Sequence, residues 1–219
     1  MTTRKQLGDI IADVHHDSID IKSRVIYLHD HFTDDGEAEI DYRVANRFIK
    51  NMNILETTNN DPIVIYISSD GGYIDFGMSI YDVIKNAQSK TAIVGHGSVS
   101  SIASVIFQAA DLRILYPSTC FHIHDISAMH SGKRLEVINH ANRLKKEYDL
   151  MLDIYATVMV NGTTFKGKSF AQVRNYLIKK LKNTPELYLT AEEAVEWGLA
   201  DGIFGSDDYN SIQTIKNGV

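Results

Sequence analysis

The sequence predicts an α/β fold in which βαβ units form a mostly parallel sheet covered by helices. Residues 63–68 form a nearly continuous β-branched run, which is typical of a strand buried on both faces of a parallel sheet. Strand-type and helix-type segments alternate along the chain, with short turns between them. At 219 residues, the chain is long enough to bury one sizeable core.

The first half of the chain provides most of the alternating units. Residues 25–29 predict a short strand, and residues 39–56 predict a helix because apolar residues recur there at helical spacing. The predicted elements that follow are the strand 63–68, the helix 73–88, the strand 91–95, the helix 101–110 and the strands 112–116 and 120–124.

The second half is mainly helical. Residues 135–160 carry one continuous apolar stripe and predict a long helix. A helix near 168–182 follows, then a connection at 183–190 and a last helix at 191–198.

Composition excludes several classes of protein. No stretch approaches the roughly 18 uninterrupted apolar residues of a membrane span, and the N-terminus has no apolar signal-peptide core. The single cysteine, Cys120, rules out an internal disulfide framework and fits a reducing compartment. The net charge of -6 argues against a nucleic-acid surface, and the basic stretch near Lys179 predicts a solvated helix face. We therefore expect a soluble, cytoplasmic protein that binds neither membrane nor nucleic acid.

Two turns lie at the carboxyl ends of predicted parallel strands, where α/β sheets bind their ligands. The first contains Gly71 and Gly72, which either form a tight turn or present main-chain N–H groups to an anionic oxygen. The second contains Ser98, Ser100 and Ser101 at the start of a helix. These serines fit an N-cap, or a nucleophile beside unpaired helical N–H groups.

A serine nucleophile needs a base and an orienting acid. His122 and His124 lie at strand spacing on one face, and no further ligands accompany them to predict a zinc site. The acid is left open by the residues alone, with Asp125, Asp153, Glu186 and Asp201 as candidates. The remaining histidines are predicted to be surface or packing residues: His15, His16, His29, His31, His96, His130 and His140.

Taken together, these segments resemble the ClpP family of serine peptidases over roughly residues 20–205. The Gly-Gly turn and following helix at 65–85, the serine loop at 97–104 and the histidine strand at 116–125 carry the likeness, together with the segment 189–203. The resemblance implies a ClpP/crotonase-like fold with a protruding handle made of the long helix and a preceding strand. Departures from the usual pattern suggest a divergent or viral-type member.

The resemblance also implies roles for individual residues. Ser101 aligns with the family's nucleophile, and Ser100 remains an alternative. Pro117, seven residues ahead of His124, indicates that His124 and not His122 is the base. Counting back four residues from Thr190 places Glu186 where the family has an aspartate. The main-chain N–H groups of Gly72 and Ile102 would form the oxyanion hole.

Four regions follow from the resemblance. Residues 1–20 are an N-terminal segment that matches the family poorly, residues 21–124 and 161–205 form the head, residues 125–160 form the handle, and residues 206–219 are a C-terminal tail.

The family assembles as stacked rings of seven subunits, fed by an AAA+ unfoldase of the ClpX, ClpA or ClpC type. For this chain that implies a homo-oligomer or co-assembly with other ClpP-like subunits. It implies no cofactor, since ATP is used by the unfoldase.

The leading function is therefore a self-compartmentalised serine endopeptidase that cleaves unfolded polypeptides. One alternative is a catalytically silent subunit that co-assembles with active ones. Others are a crotonase-type enzyme acting on acyl-CoA thioesters, and a peptidase specialised for capsid maturation or membrane-bound fragments.

Overall fold

The computed structural model describes residue 8, residues 11–32 and residues 38–219. Its strands are β1 (Ile19–Asp20), β2 (Val25–His29), β3 (His31–Phe32), β4 (Ala38–Glu39), β5 (Ile63–Ser69), β6 (Thr91–Ser100), β7 (Leu112–Leu115), β8 (Cys120–His124), β9 (Glu186–Leu189) and β10 (Gly202–Ile203). Its α-helices are α1 (Tyr42–Glu56), α2 (Ile74–Lys85), α3 (Ile102–Phe107), α4 (Arg134–Met159), α5 (Phe170–Asn183), α6 (Ala191–Glu196) and α7 (Ile212–Asn217). A π-helical turn at Asp13–Asp17 and a 3-10 turn at Thr163–Phe165 complete the assigned elements.

The main sheet has the strand order β1-β2-β5-β6-β7-β10. Strands β2, β5, β6, β7 and β10 are parallel to their neighbours, and β1 is antiparallel to β2. The β-branched residues of β5 are buried on both faces, as expected for a central parallel strand. The predicted α/β class is confirmed.

The long strand β6 joins two parts of this sheet. Residues 92–95 pair with β7, and residues 98–100 pair with β8. Gly97 lies between the two pairings with a φ of +64°, a conformation that favours glycine. Strand β8 then pairs antiparallel with β9, so β6, β8 and β9 form an offshoot at the carboxyl end of the sheet.

The sequence predicted the strand at 91–95 but missed its continuation to Ser100. Ser98 and Ser100 are consequently strand residues, and neither is the N-cap that the serine cluster could have supplied. The segment 183–190 was predicted as a connection, yet it contains β9 because β8 offers an edge for pairing. The helix predicted over 39–56 begins at Tyr42, where the Asp41 carboxylate accepts from two N–H groups of the first turn.

The long helix predicted at 135–160 is confirmed as α4. Its first half is largely exposed, whereas Met151, Tyr155 and Met159 in its second half are buried against the core. Residues 125–133 carry no strand, so the helix is the only regular element of the expected helix-plus-strand handle.

The C-terminal segment contains a helix that packs against the sheet. Helix α7 lies within residues 206–219, where Ile215 is buried and Lys216 Nζ donates to the main-chain oxygen of Ser23 at 2.5 Å. This C-terminal segment therefore packs on the sheet face opposite the larger core. Of the segment 1–20, residues 1–7, 9 and 10 lie outside the described residues. Among the helices that are described, none has the length and apolarity needed to cross a membrane.

Candidate active site

One cavity of about 180 Å³ brings together four of the five predicted site residues. Its lining includes Gly72, Ser101, Ile102 and His124. Apolar side chains, including that of Met151, form part of the remaining wall. The cavity lies at the carboxyl ends of β5, β6 and β8, where parallel strands leave the sheet and loops begin.

Ser101 occupies a strained backbone conformation between β6 and α3. Its φ is 55° and its ψ is -129°, a region that non-glycine residues enter at a cost of about 1–3 kcal/mol. The main-chain N–H of Ser101 donates to the oxygen of His122 at 3.0 Å, which ties this turn to β8. Ser101 precedes α3 at the N-cap position, but its side chain makes no capping hydrogen bond. The Ser101 side chain therefore does not cap the helix, and the residue lines the cavity.

The Gly-Gly turn packs directly against this serine. Gly71 has a φ of +112°, and a Cβ placed on it would lie 2.6 Å from the Ser101 Cβ. Gly72 has a φ of +149°, and a Cβ there would lie 2.5 Å from the main chain of Ile40. Both positions need glycine for the conformation and for the close approach.

Main-chain pairing fixes the direction of the Gly72 N–H. The Ile40 N–H donates to the Gly71 oxygen at 2.7 Å, and the Tyr73 N–H donates to the Ile40 oxygen at 3.0 Å. Successive N–H groups of extended backbone point to opposite sides, so the Gly72 N–H faces away from Ile40. Within the described chain, neither this N–H nor that of Ile102 donates to a protein acceptor. Two donors are thus available to an oxygen atom in the cavity.

Side chains behind the turn hold it in place. The Asp70 N–H donates to Asp30 Oδ2 at 3.0 Å, and the Gly71 N–H donates to the Ser69 hydroxyl at 3.0 Å. Burial raises the pKa of Asp30, and its Oδ1 is buried without a hydrogen-bond partner among the described residues. Sequence reasoning missed Asp30, although its place directly after β2, beside the end of β5, was the available signal.

A buried hydroxyl pair connects the serine turn to α4. Ser104 Oγ donates to the Ser101 main-chain oxygen at 2.6 Å and lies 2.6 Å from the Tyr155 hydroxyl. Burial raises the pKa of Tyr155, so this phenol stays neutral. The second half of the long helix therefore supports the turn that carries Ser101.

The neighbouring serines are engaged elsewhere. The hydroxyls of Ser98 and Ser100 lie 2.7 Å apart on one face of β6, and Ser100 is buried. Neither residue lines the cavity that contains His124. The arrangement favours Ser101 over the rival Ser100.

The acid side of the site differs from the expected arrangement. In the β8–β9 pairing, His124 lies opposite Glu186 and His122 lies opposite Tyr188. The Glu186 carboxylate nevertheless contacts His122, with 2.7 Å between Oε2 and Nε2. No hydrogen bond joins Ser101 to His124 or His124 to Glu186 among the described side chains. The assignment of Glu186 as the acid that orients His124 stays a prediction.

His122 is enclosed by aromatic rings. It stacks on Tyr188 with ring centroids 4.1 Å apart and on His124 at 5.2 Å. Burial lowers the pKa of His122 and the nearby His124 adds to that effect, while Glu186 and Asp70 oppose it. Near neutral pH this imidazole is therefore predominantly uncharged.

The other candidate acids have different surroundings. Asp153 is bonded to Arg174 at 2.5 Å, and Asp201 is bonded to Arg113 at 2.6 Å. Asp125 lines the cavity, but its Oδ1 accepts from the N–H of Ile126 at 2.7 Å. Across the described chain there is no group of three or more side chains suited to holding a metal ion.

Comparison with known proteins shows which sequences and structures the chain is similar to. The sequence model of the Clp protease family matches residues 18–207. The chain is 28% identical over 172 residues to the ATP-dependent Clp protease proteolytic subunit 2 of Pseudomonas aeruginosa, covering 77% of this chain and 78% of that protein. It is 27% identical over 199 residues to the corresponding subunit of Dehalococcoides mccartyi, covering 90% and 88%. A solved structure of a ClpP1 mutant from Listeria monocytogenes superposes with a TM-score of 0.67 at 26% identity, covering 86% of this chain and 95% of that one.

Proposed function

Because the chain belongs to the Clp protease family and is a serine-type peptidase, we propose that it hydrolyses peptide bonds of unfolded polypeptides with Ser101 as its nucleophile. The observation that carries this proposal is the shared cavity, in which a strained serine, a histidine and two available N–H donors converge. Nucleophile, base and oxyanion donors are the minimum set for acyl transfer.

In the proposed mechanism, Ser101 Oγ attacks the carbonyl carbon of the scissile bond while His124 takes the hydroxyl proton. The carbonyl oxygen becomes an oxyanion and accepts hydrogen bonds from the N–H groups of Gly72 and Ile102. Collapse of the tetrahedral intermediate breaks the C–N bond as His124 returns the proton to the departing amine. Water then hydrolyses the acyl-enzyme by the same route. Loss of one oxyanion donor would cost about 3 kcal/mol in the transition state.

Glu186 is proposed as the third member, orienting the His124 ring. A glutamate serves this role in other Ser-His-acid enzymes. Support comes from its position directly across the strand pair from His124, within reach of a side-chain rotation.

We further propose that the chain works as a ring-forming oligomer, as stacked heptameric rings or together with other ClpP-like subunits. The Pseudomonas and Dehalococcoides relatives are described as ATP-dependent proteolytic subunits. A AAA+ unfoldase of the ClpX, ClpA or ClpC type would therefore supply unfolded substrate and use the ATP, leaving this chain without a cofactor. No membrane or nucleic-acid partner is proposed, and the cytoplasm is the expected compartment.

A fluorophosphonate probe tests the nucleophile, because it forms a stable phosphonyl ester only with an activated serine. We expect the adduct on Ser101, mapped by mass spectrometry, and its loss in both Ser101→Ala and His124→Ala. Ser100→Ala is the matched control, since its hydroxyl lies outside the cavity. Retained labelling in Ser101→Ala would refute the assignment.

The second candidate is a catalytically silent subunit. The observation that favours it is the Glu186 carboxylate, which lies on His122 and not on His124. A folded, assembled protein that neither reacts with the probe nor cleaves peptides would support this candidate. Peptide turnover by the purified homo-oligomer would exclude it.

A further inference from the structure

We propose that His122 is a positioning residue that competes with His124 for the carboxylate of Glu186, and so controls whether the catalytic histidine has its acid. The inference rests on the proposed function of Ser101 and His124 as nucleophile and base. It adds a residue that the peptidase mechanism itself does not require.

Strand register makes the competition possible. Glu186 is directly opposite His124, and His122 is its diagonal neighbour. Directly opposed Cβ atoms lie about 4.5–5.5 Å apart, whereas diagonal neighbours are separated by about 7–8 Å. The second methylene of a glutamate lets its carboxylate reach the diagonal neighbour. The distance from Glu186 Oε2 to His122 Nε2 is accordingly 2.7 Å. An aspartate at this position would be too short to reach the diagonal ring.

The two members of this pair differ in freedom. The His122 side chain is only 12% exposed and is held between the rings of Tyr188 and His124. The Glu186 side chain is 59% exposed and makes its one described hydrogen bond to His122. The carboxylate is therefore the part that moves, and the fixed His122 ring is its resting partner.

Protonation would change the strength of this contact. The titratable groups that face His122 are Glu186 and Tyr188 from β9, His124 from its own strand and Asp70 from the turn after β5. Strand β6 contributes Ser100, which is in register with His122 and carries no charge. A neutral His122 can donate one hydrogen bond to the Glu186 carboxylate, whereas a protonated His122 adds the attraction between opposite charges to that bond. Acidic conditions therefore favour the state in which Glu186 contacts His122 and not His124.

A double-mutant cycle tests the competition through peptide cleavage. His122→Phe keeps a flat ring against Tyr188 and His124 but removes the donor. We expect it to raise kcat by about 3- to 10-fold with little change in KM, because the acid becomes available to His124. Glu186→Gln should lower kcat by less than about 2-fold in the parent protein and by about 10-fold in the His122→Phe background.

The matched control is Tyr188→Phe, which preserves the stacked ring and leaves the contact between His122 and Glu186 intact. It should reproduce the parent kcat and the parent pH profile. His122→Phe should instead raise kcat, since the ring that holds Glu186 away from His124 is gone. Equal effects of Glu186→Gln in both backgrounds, or no gain in His122→Phe, would overturn the proposal.

The NMR signals of the histidine rings give a readout that does not depend on turnover. If Glu186 contacts His124 only when His122 is replaced, Glu186→Gln shifts the ring nitrogen signals of His124 in the His122→Phe background and leaves them nearly unchanged in the parent. Equal shifts in both backgrounds would overturn the inference even in an inactive protein. Failure of the proposed function is recognised separately, by the absence of a His124-dependent probe adduct on Ser101.

Discussion

The nucleophile side of the site, formed by Ser101, Gly71 and Gly72, and the acid side, formed by His122, His124 and Glu186, are held by different kinds of force. On the nucleophile side, main-chain hydrogen bonds and contacts that only glycine permits leave one arrangement. On the acid side, the exposed side chain of Glu186 can contact either of two histidines on the paired strand.

The difference shows which part of the site is rigid and which part can rearrange. An oxyanion hole acts only if its donors are aimed before the reaction begins, and backbone is the most rigid way to aim them. An orienting acid acts through another side chain and tolerates a second position. We therefore expect changes on the nucleophile side to abolish activity, and changes at His122 and Glu186 to tune it.

The largest effect is expected from Gly71→Ala. The new methyl group would lie 2.6 Å from the Ser101 Cβ, so the serine turn or the glycine turn must shift. Displacing the nucleophile from its donors should lower kcat/KM by at least about 100-fold. Peptide cleavage measures the loss, with circular dichroism to confirm folding. Gly205→Ala is the control, because its φ of +96° imposes similar backbone strain with no atom within 4 Å. Near-parent activity in Gly71→Ala would show that the nucleophile side is not rigid.

A smaller effect is expected from Asp30→Ala, which removes the acceptor of the Asp70 N–H beneath the Gly-Gly turn. A loosened turn aims the Gly72 N–H less well, and we expect about a 10-fold lower kcat with a smaller change in KM. Asp30→Asn keeps an oxygen acceptor and should retain activity. Because burial raises the pKa of Asp30, its ionised form costs stability, and this cost grows as pH rises from about 4. Asp30→Asn should therefore increase the free energy of unfolding at neutral pH, measured by urea denaturation. Equal kcat in Asp30→Ala and the parent would show that Asp30 does not position the Gly-Gly turn.

A stability effect without a large kinetic effect is expected from Tyr155→Phe. The variant loses the buried hydrogen bond to Ser104, at a cost of about 1 kcal/mol in the free energy of unfolding. Ser104 keeps its bond to the Ser101 oxygen, so kcat should change by less than about 2-fold. Tyr148→Phe on the same helix is the control, since its hydroxyl makes no hydrogen bond to a described protein group. A large fall in kcat for Tyr155→Phe would mean that the helix positions Ser101 through this phenol.

The smallest effect concerns pH and the acid side. Burial lowers the pKa of His122 below the value of about 6.5 expected in the unfolded chain. The unfolded state therefore binds more protons in the interval just below pH 6.5, and the free energy of unfolding rises with pH there. The stability that neutral His122 contributes to the folded state is fully present above pH 6.5 and is lost as the pH falls through the lowered pKa. His122→Phe should flatten this part of the profile, measured by thermal unfolding between pH 5 and 7. An unchanged slope would show that His122 is charged alike in both states.

Local sequence patterns predicted most of the fold because they reflect burial. Three patterns indicate which face of an element is buried in the core: the β-branched run at 63–68, the alternation of strands and helices, and the apolar stripe of α4. The strand β9 was missed because its residues become a strand only when the edge of β8 is available. The same cause extended β6 to Ser100, beyond the predicted end at residue 95.

The sequence by itself determined which residue types stand at the ends of the strands: a glycine pair, a serine before a helix, and two histidines on one face of β8. Those features depend on local spacing, and the family resemblance selected from them Gly72, Ser101 and His124, which line the cavity. Only the tertiary structure decided the strained turn at Ser101, the support from Asp30 and Tyr155, and the choice of His122 by Glu186. Each of these depends on contacts between segments far apart in the chain, whose distances follow from strand register and packing and not from sequence spacing.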